Sequence, residues 1–379
     1  MNIAYLSTFY PYRGGIAQFN ASLYRALEKK YNIKAFTFLR QYPEILFPGK
    51  SQLVSSNDNV DIVPSLKVLD TINPVSFSRA TNKILEFRPD LLLTKFWMPF
   101  FAPSLGSVSK KLKQKNIINI SILDNVLPHE KKVGDIALIK YFLNQQHGFI
   151  VMSDTVKDDL LSLKPNAKYE KFYHPIYDHF GHKVSKEDAR RSLKIPLDKN
   201  VLLFFGFIRD YKGLDLLLKA MKLLPDNYHL IIAGEVYGNF DKYKDLINRL
   251  NIQNRVTVEA RYIRDSEVPY FFSASDVCVL PYKSATQSGI VAISFQFNLP
   301  VIATDVGSLK EMLVPTNTGL IVEKPDANLL SQGIIKYFVE NKKEQYKNNI
   351  DAYKVNYSWD NLANTILKLY SNLTLEMQI

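Results

Sequence analysis

Short runs of β-branched and aliphatic residues alternate with longer stretches in which apolar residues recur every three or four positions. The alternation occurs twice along the chain. In the first half NIAYLST reads as a strand followed by a helix over about residues 15–30. NIKAFTF, VDIVPS, PDLLLTKF, NIINISIL and GFIVMS read as further strands, with helices predicted over 76–87 and 134–143. The second half repeats this with VLLFFGF, HLIIAGE, RVTVEA, DVCVLPY, PVIATDV and GLIVEK, and with helices over 212–224, 242–250, 290–297 and 328–338. Strand–helix alternation at this spacing predicts an α/β protein of two doubly wound, Rossmann-like domains with parallel sheets. Runs as apolar as VLLFF suit strands covered on both faces. Ligands in such folds bind at the carboxyl ends of the strands, so a cleft between the two sheets is the expected site.

The boundaries follow from composition. Residues 1–178 form the first domain, and HKVSKEDARRSLKIPLDKN, rich in charge, is expected to be a linker over 179–198. Residues 199–355 form the second domain. The segment 356–379 is predicted as an amphipathic helix, with Trp359, Leu362, Ile366 and Leu369 on one face, that crosses back to the first domain. At 379 residues, two domains match the length.

Hydrophobic residues make up 46% and charged residues 22%, which excludes a largely disordered chain. The longest apolar stretch, 91–106, is interrupted by Lys95, Pro99 and Pro103, so no membrane helix is expected. MNIAYLST lacks the basic region, apolar core and cleavage site of a signal peptide. A single cysteine, Cys278, allows no internal disulfide. A cytoplasmic protein is the expectation. The net charge of +11 is uneven, with 23 Lys/Arg against 15 Asp/Glu in residues 1–178 and 25 against 22 beyond. Lys110, Lys111, Lys113 and Lys115 crowd one segment, and Lys131, Lys132 and Lys140 follow. Acidic lipid attracts such a cluster with about 1 kcal/mol per cation, so peripheral attachment to the inner face of a membrane is an expectation. The basic stretches carry no interleaved aromatic platform, and nucleic acid is not an expected partner.

Three segments carry candidate chemistry. The first loop, FYPYRGGIAQF, opens a helix, and Gly14 and Gly15 let its backbone approach an anion. It is not the G-x-G-x-x-G fingerprint of dinucleotide binding. FFGFIRDYKGLDLLLKA sets Arg209 and Lys212 beside Gly206 at the end of an apolar strand, where a planar fork and a point charge suit a diphosphate. In PYKSATQSGIVAISF, Ser288, Gly289, Ile290 and Val291 open a helix and offer amide donors, while Thr286 and Gln287 offer side-chain hydrogen bonds. The bland account of Ser288 is an ordinary helix cap.

P-Y-R-G-G-I, F-G-F-I-R-D-Y-K-G, A-S-D-V-C-V-L-P-Y, L-P-V-I-A-T-D-V-G-S-L-K-E and the closing Y-S-W-D, in that order, resemble a GT-B glycosyltransferase of the retaining, family-four type over almost the whole chain. The resemblance implies a nucleotide-sugar donor and a saccharide or polyprenyl-linked acceptor. Arg209 and Lys212 would neutralise the leaving diphosphate, Gly14–Gly15 would lie against it, and the backbone near Ile263 would meet the base. It implies no cofactor and no metal, in keeping with a sequence without D-x-D. Two places depart from the pattern: Ala285 and Ile293 stand where many members carry glutamates, and Asp124–Asn125 where a His–Asn or His–Asp pair is common. Thr286, Gln287 and the Gly289 amide then take over sugar contacts, and either Asp124 or His129 reaches the reacting centre. His174 reads as structural, and His179 with His182 lacks a third ligand for a metal site. Glu311, at the start of a helical turn, stays unassigned. A sugar-nucleotide epimerase and a nucleotide-sugar-binding protein without turnover are the alternatives.

Overall fold

The computed structural model describes residues 1–43, 52–54, 61–128, 132–176, 180–285 and 288–378. They divide into two compact units, Met1–His174 joined by Tyr357–Ile379, and Pro175–Asn356. Each unit holds one parallel sheet with helices on both faces, two parallel-sheet α/β domains in all.

The first sheet contains β1 (Asn2–Leu6), β2 (Asn32–Arg40), β3 (Ser65–Asp70), β4 (Leu91–Phe96), β5 (Ile118–Leu123), β6 (Gly148–Val151) and β7 (Tyr169–Lys171), in the order β3-β2-β1-β4-β5-β6-β7. Ile3 sits opposite Ile33 on one side and Leu91 on the other, so the chain order reverses at β1 and β4. Every residue of β4 and β5 is buried, as strands covered on both faces require. One face is packed by the helix Gly15–Glu28, through Phe19, Leu23 and Leu27, and by the C-terminal helix Trp359–Gln378, through Leu362, Ile366, Leu369 and Leu373. Each such aliphatic side chain contributes about 1.5–3 kcal/mol on full burial. That burial returns the end of the chain to the first unit.

The second sheet contains β8 (Asn200–Phe205), β9 (Tyr228–Ala233), β10 (Val256–Glu259), β11 (Val277–Leu280), β12 (Val301–Thr304) and β13 (Gly319–Val322). Its order, β10-β9-β8-β11-β12-β13, has the same reversal, here between β8 and β11.

Two expectations are corrected. The strand expected at VDIVPS forms five residues later, at Ser65–Asp70, because Pro64 has no N–H to give a ladder and pairing starts after it. The segment expected as a linker is part of the second unit. Ser185 caps the helix Lys186–Ser192, and Arg190 is buried beside β11. Its guanidinium donates to Asp276 at 2.8 Å and to the carbonyls of Ala274 and Leu197 at 2.9 and 2.6 Å. Asp276 also accepts from Lys186, Lys343 and the Val201 amide. Of the charges that suggested a solvated linker, Arg190 and Lys186 join an ion cluster on Asp276, while Glu187, Asp188 and Arg191 are exposed. The helix Lys343–Asn356, which sequence periodicity did not indicate, buries Tyr346, Ile350 and Tyr353.

Candidate functional site

In the second unit the chain leaves β8 through Gly206 (φ +99°), where a Cβ would lie 3.0 Å from Ile290 Cδ1 and 3.8 Å from Lys212 Nζ. Gly206, Lys212 and the start of the helix Gly289–Gln296 therefore share one spot at the switch point. Gly213 allows it: its φ is +69°, and a side chain there would run into the Pro281 carbonyl at 1.9 Å. The Lys283 amide donates to the Tyr211 carbonyl at 2.7 Å, tying the loops after β8 and β11 together.

Arg209 lies over Tyr237, its Cζ 4.1 Å from the ring centroid. Tyr237 is held by its amide to the Ile208 carbonyl at 3.2 Å, an extension of the β8–β9 pairing. The buried Nε of Arg209 has no partner among the described residues. Lys212 Nζ donates to the Tyr282 hydroxyl at 3.1 Å, and burial lowers its pKa, with the Arg209 charge adding to the effect. The nearby carboxylates are engaged elsewhere, Asp210 by Lys242 and Asp215 by Lys283. Among the described residues, neither Arg209 nor Lys212 has a carboxylate partner.

Across from them the helix Gly289–Gln296 begins without a side-chain cap. The Ser288 hydroxyl, expected as a cap, instead lies 3.1 Å from the Tyr282 hydroxyl. Of the four expected amide donors, that of Val291 is used internally, by the Ser288 carbonyl at 3.2 Å. No acceptor among the described residues takes the amides of Gly289 and Ile290, and the space beside Gly289 is open. Ile293 is buried in the helix's apolar face. Ile263, 6% exposed, follows β10 in a turn built on Glu267, which accepts from Arg261 at 2.7 Å and from Arg264 at 3.1 Å. Those two arginines hold the Glu267 carboxyl at about 2. Thr286 and Gln287 lie outside the described residues.

The first unit places different chemistry at its switch point. Lys95, in β4, is 1% exposed, donates to Asp124 Oδ1 at 2.5 Å and sits 3.5 Å from the Phe19 ring centroid. Burial pulls its pKa down, against the pull of Asp124. Tyr5 donates to Asn20 at 2.5 Å, and Asn20 donates to the Ser7 hydroxyl and the Thr8 carbonyl at 2.8 Å. Phe19 also packs edge-on against His174 and Trp359, at 5.2 and 5.0 Å, consistent with a structural role for His174. Gly14 has φ +107° and Gly15 opens the first helix. His129 lies outside the described residues, as does His179. Glu311 falls in the short helix Leu309–Leu313. Among the described residues no three His, Cys, Asp or Glu gather as a metal site, and no helix is long and apolar enough to cross a membrane.

Sequence reasoning missed Lys95, Tyr237 and Tyr282. A lone cation inside LLLTKF was a usable signal for the first. Neither tyrosine stands out from its apolar run.

Two parallel sheets of this order define the GT-B class of fold. HepE of Anabaena, solved with UDP, superposes with a TM-score of 0.76 at 15% identity, covering 98% of this chain and all of that one. In sequence, residues 185–355 match the family of glycosyl transferases group 1. An uncharacterised glycosyltransferase of Methanocaldococcus jannaschii is 28% identical over 60% of this chain, and the match spans only 60% of that protein's length. A second from the same organism is 24% identical over 99% of both chains. In fold the chain thus resembles the GT-B structures along its whole length, and in sequence its second unit resembles the glycosyl transferases of group 1.

Proposed function

We propose that the protein is a retaining glycosyltransferase that moves a sugar from a nucleotide-sugar donor to a saccharide or lipid-linked acceptor in the synthesis of a surface glycan. One observation carries this reading: Arg209 and Lys212, two cations without carboxylate partners among the described residues, stand at the switch point beside the Gly289 and Ile290 amides, which no described acceptor takes. Such a set suits a diphosphate. HepE of Anabaena has been solved with UDP and with UDP-glucose. That supports a nucleotide diphosphate here.

As the bond from the anomeric carbon to the diphosphate oxygen breaks, negative charge grows on the leaving phosphate. Arg209, Lys212 and the Gly289 and Ile290 amides meet that charge. The phosphate oxygen takes the proton of the acceptor hydroxyl, whose oxygen bonds to the anomeric carbon on the same face, so configuration is retained. The cations supply the charge stabilisation, and the reaction as proposed uses no metal. Asp124, held by Lys95, and His129 are the two alternative first-unit groups for reaching the sugar. The lysines of the helix Ala102–Lys113, with exposed Val133 and Ile136 beside Lys132 and Lys140, support docking on anionic lipid at the inner membrane face.

The test is a thermal-shift screen with UDP-, GDP-, ADP- and dTDP-sugars, followed by assay of nucleotide release. A ligand specific to the folded state raises the melting temperature. Stabilisation with release supports the transferase, and binding without release supports the non-catalytic alternative. No stabilisation by any donor overturns both.

A further inference from the structure

Tyr282 is 1% exposed, yet its hydroxyl sits between two polar groups of the candidate site, Lys212 Nζ and Ser288 Oγ, each at 3.1 Å. Its backbone is fixed as well, since Thr304 Oγ1 donates to the Tyr282 carbonyl at 2.6 Å. An ammonium group has only hydrogens to give. The tyrosine oxygen therefore accepts from Lys212, and donation of its own hydrogen to Ser288 Oγ is the arrangement that leaves the serine hydrogen free. Ser288, having accepted, turns its remaining hydrogen outward, away from Tyr282.

The lysine fixes the first link, and with Tyr282 donating to Ser288 both the lysine and the serine keep a hydrogen for a ligand at the start of the helix Gly289–Gln296. This arrangement also explains why Ser288 does not cap that helix: its oxygen is engaged by Tyr282, so the first amides stay available. We propose that Tyr282 is a positioning residue for anion binding. It holds the Lys212 ammonium by one of its three hydrogens, keeps the other two aimed at a diphosphate, and sets Ser288 as a further donor to the same group. The inference rests on the diphosphate reading of the site and adds to it a residue that touches no ligand.

Tyr282→Phe keeps the ring and removes only the hydroxyl. Isothermal titration with UDP and with inorganic pyrophosphate is the measurement, on the wild type, Tyr282→Phe, Lys212→Met and the double variant. Loss of one charge-assisted hydrogen bond predicts affinity about tenfold weaker in Tyr282→Phe. Because the tyrosine acts mainly through the lysine, Tyr282→Phe should cost much less in the Lys212→Met background, the remainder being its effect on Ser288. Ser288→Ala should weaken binding less, and its loss too should shrink when Lys212 is absent. It provides the same cycle should Tyr282→Phe fold poorly. Additive losses, or a Tyr282→Phe variant that binds as the wild type does while Lys212→Met does not, would overturn the positioning role and leave the diphosphate site standing. A wild type that binds neither UDP nor pyrophosphate would remove the site itself and the inference with it.

Discussion

Lys95 and Lys212 both lie at the carboxyl end of a sheet, beside the strands where chain order reverses, and both have their pKa lowered by burial. Their surroundings differ in one respect. Lys95 meets a carboxylate at 2.5 Å and an aromatic face at 3.5 Å, so its charge is neutralised within the protein. Among the described residues Lys212 meets a tyrosine hydroxyl and ring and no carboxylate, with a second cation nearby. Burying a charge costs free energy unless it is paired. A fold keeps an uncompensated pair such as Arg209 and Lys212 where something else supplies the negative charge, and a ligand diphosphate would do so. The same topology thus gives one self-contained ion pair and one site that is incomplete alone.

Removing each lysine tests that difference. Lys95→Met leaves Asp124 beside a buried apolar side chain and should cost about 3 kcal/mol of stability, read as a lower urea midpoint. Lys212→Met removes a cation that has no carboxylate partner, so the unliganded protein should be unchanged or more stable, by about 1 kcal/mol. Equal losses in the two variants would show that Lys212 is neutralised by the protein after all. In turnover, Lys212→Ala and Arg209→Ala should each cost about 10²-fold or more, since each would stabilise the departing diphosphate. Near-normal turnover in both variants would remove the assignment.

The same contrast separates what sequence could reveal from what it could not. Periodicity gave the inner strands of both sheets, because β4, β5, β9, β11 and β12 are buried along their length. It also gave the helices with an apolar stripe, as Leu362, Ile366 and Leu369 illustrate, whereas the half-buried edge strand β7 was not legible. The cations at 209 and 212 were visible because they follow VLLFFGF directly. Their lack of carboxylates was not, since Asp210 and Asp215 are near in sequence and only the fold shows that Lys242 and Lys283 engage them. Charge composition misled at residues 179–198 for a related reason. Arg190 and Lys186 look solvated until Asp276, 86 residues from Arg190, is found beside them.

That Asp276 cluster gives a pH dependence to set against the two lysines. Burial alone would raise the Asp276 pKa, but Lys343, Lys186 and the Val201 amide outweigh it and hold the carboxyl at about 2, below its ordinary 3.8. The folded pKa is depressed, so this contribution is complete above the unfolded value and is lost as pH falls from about 4 towards 2. Denaturation midpoints followed across that range should drop in the wild type more steeply than in Asp276→Asn, which starts lower. Parallel curves would mean that other carboxylates set the acid limit.

The smallest effect expected is at Gly289, and it tests the helix start rather than the cations. A Cβ there meets nothing within 4 Å, so Gly289→Ala introduces no clash. Alanine also favours a helix over glycine by about 1 kcal/mol in interior positions and by less at a first turn, so the unliganded melting temperature should hold or rise slightly. If a phosphate approaches the Gly289 and Ile290 amides, the added methyl stands where the anion must come, and UDP affinity should fall about fivefold, near 1 kcal/mol. Unchanged affinity would restrict the anion to Arg209, Lys212 and Ser288. A loss in affinity without any loss in stability would be hard to attribute to the cations, because the substitution removes no charge and no side-chain donor. It would place the ligand against the backbone at the one part of the site where the second unit offers amides.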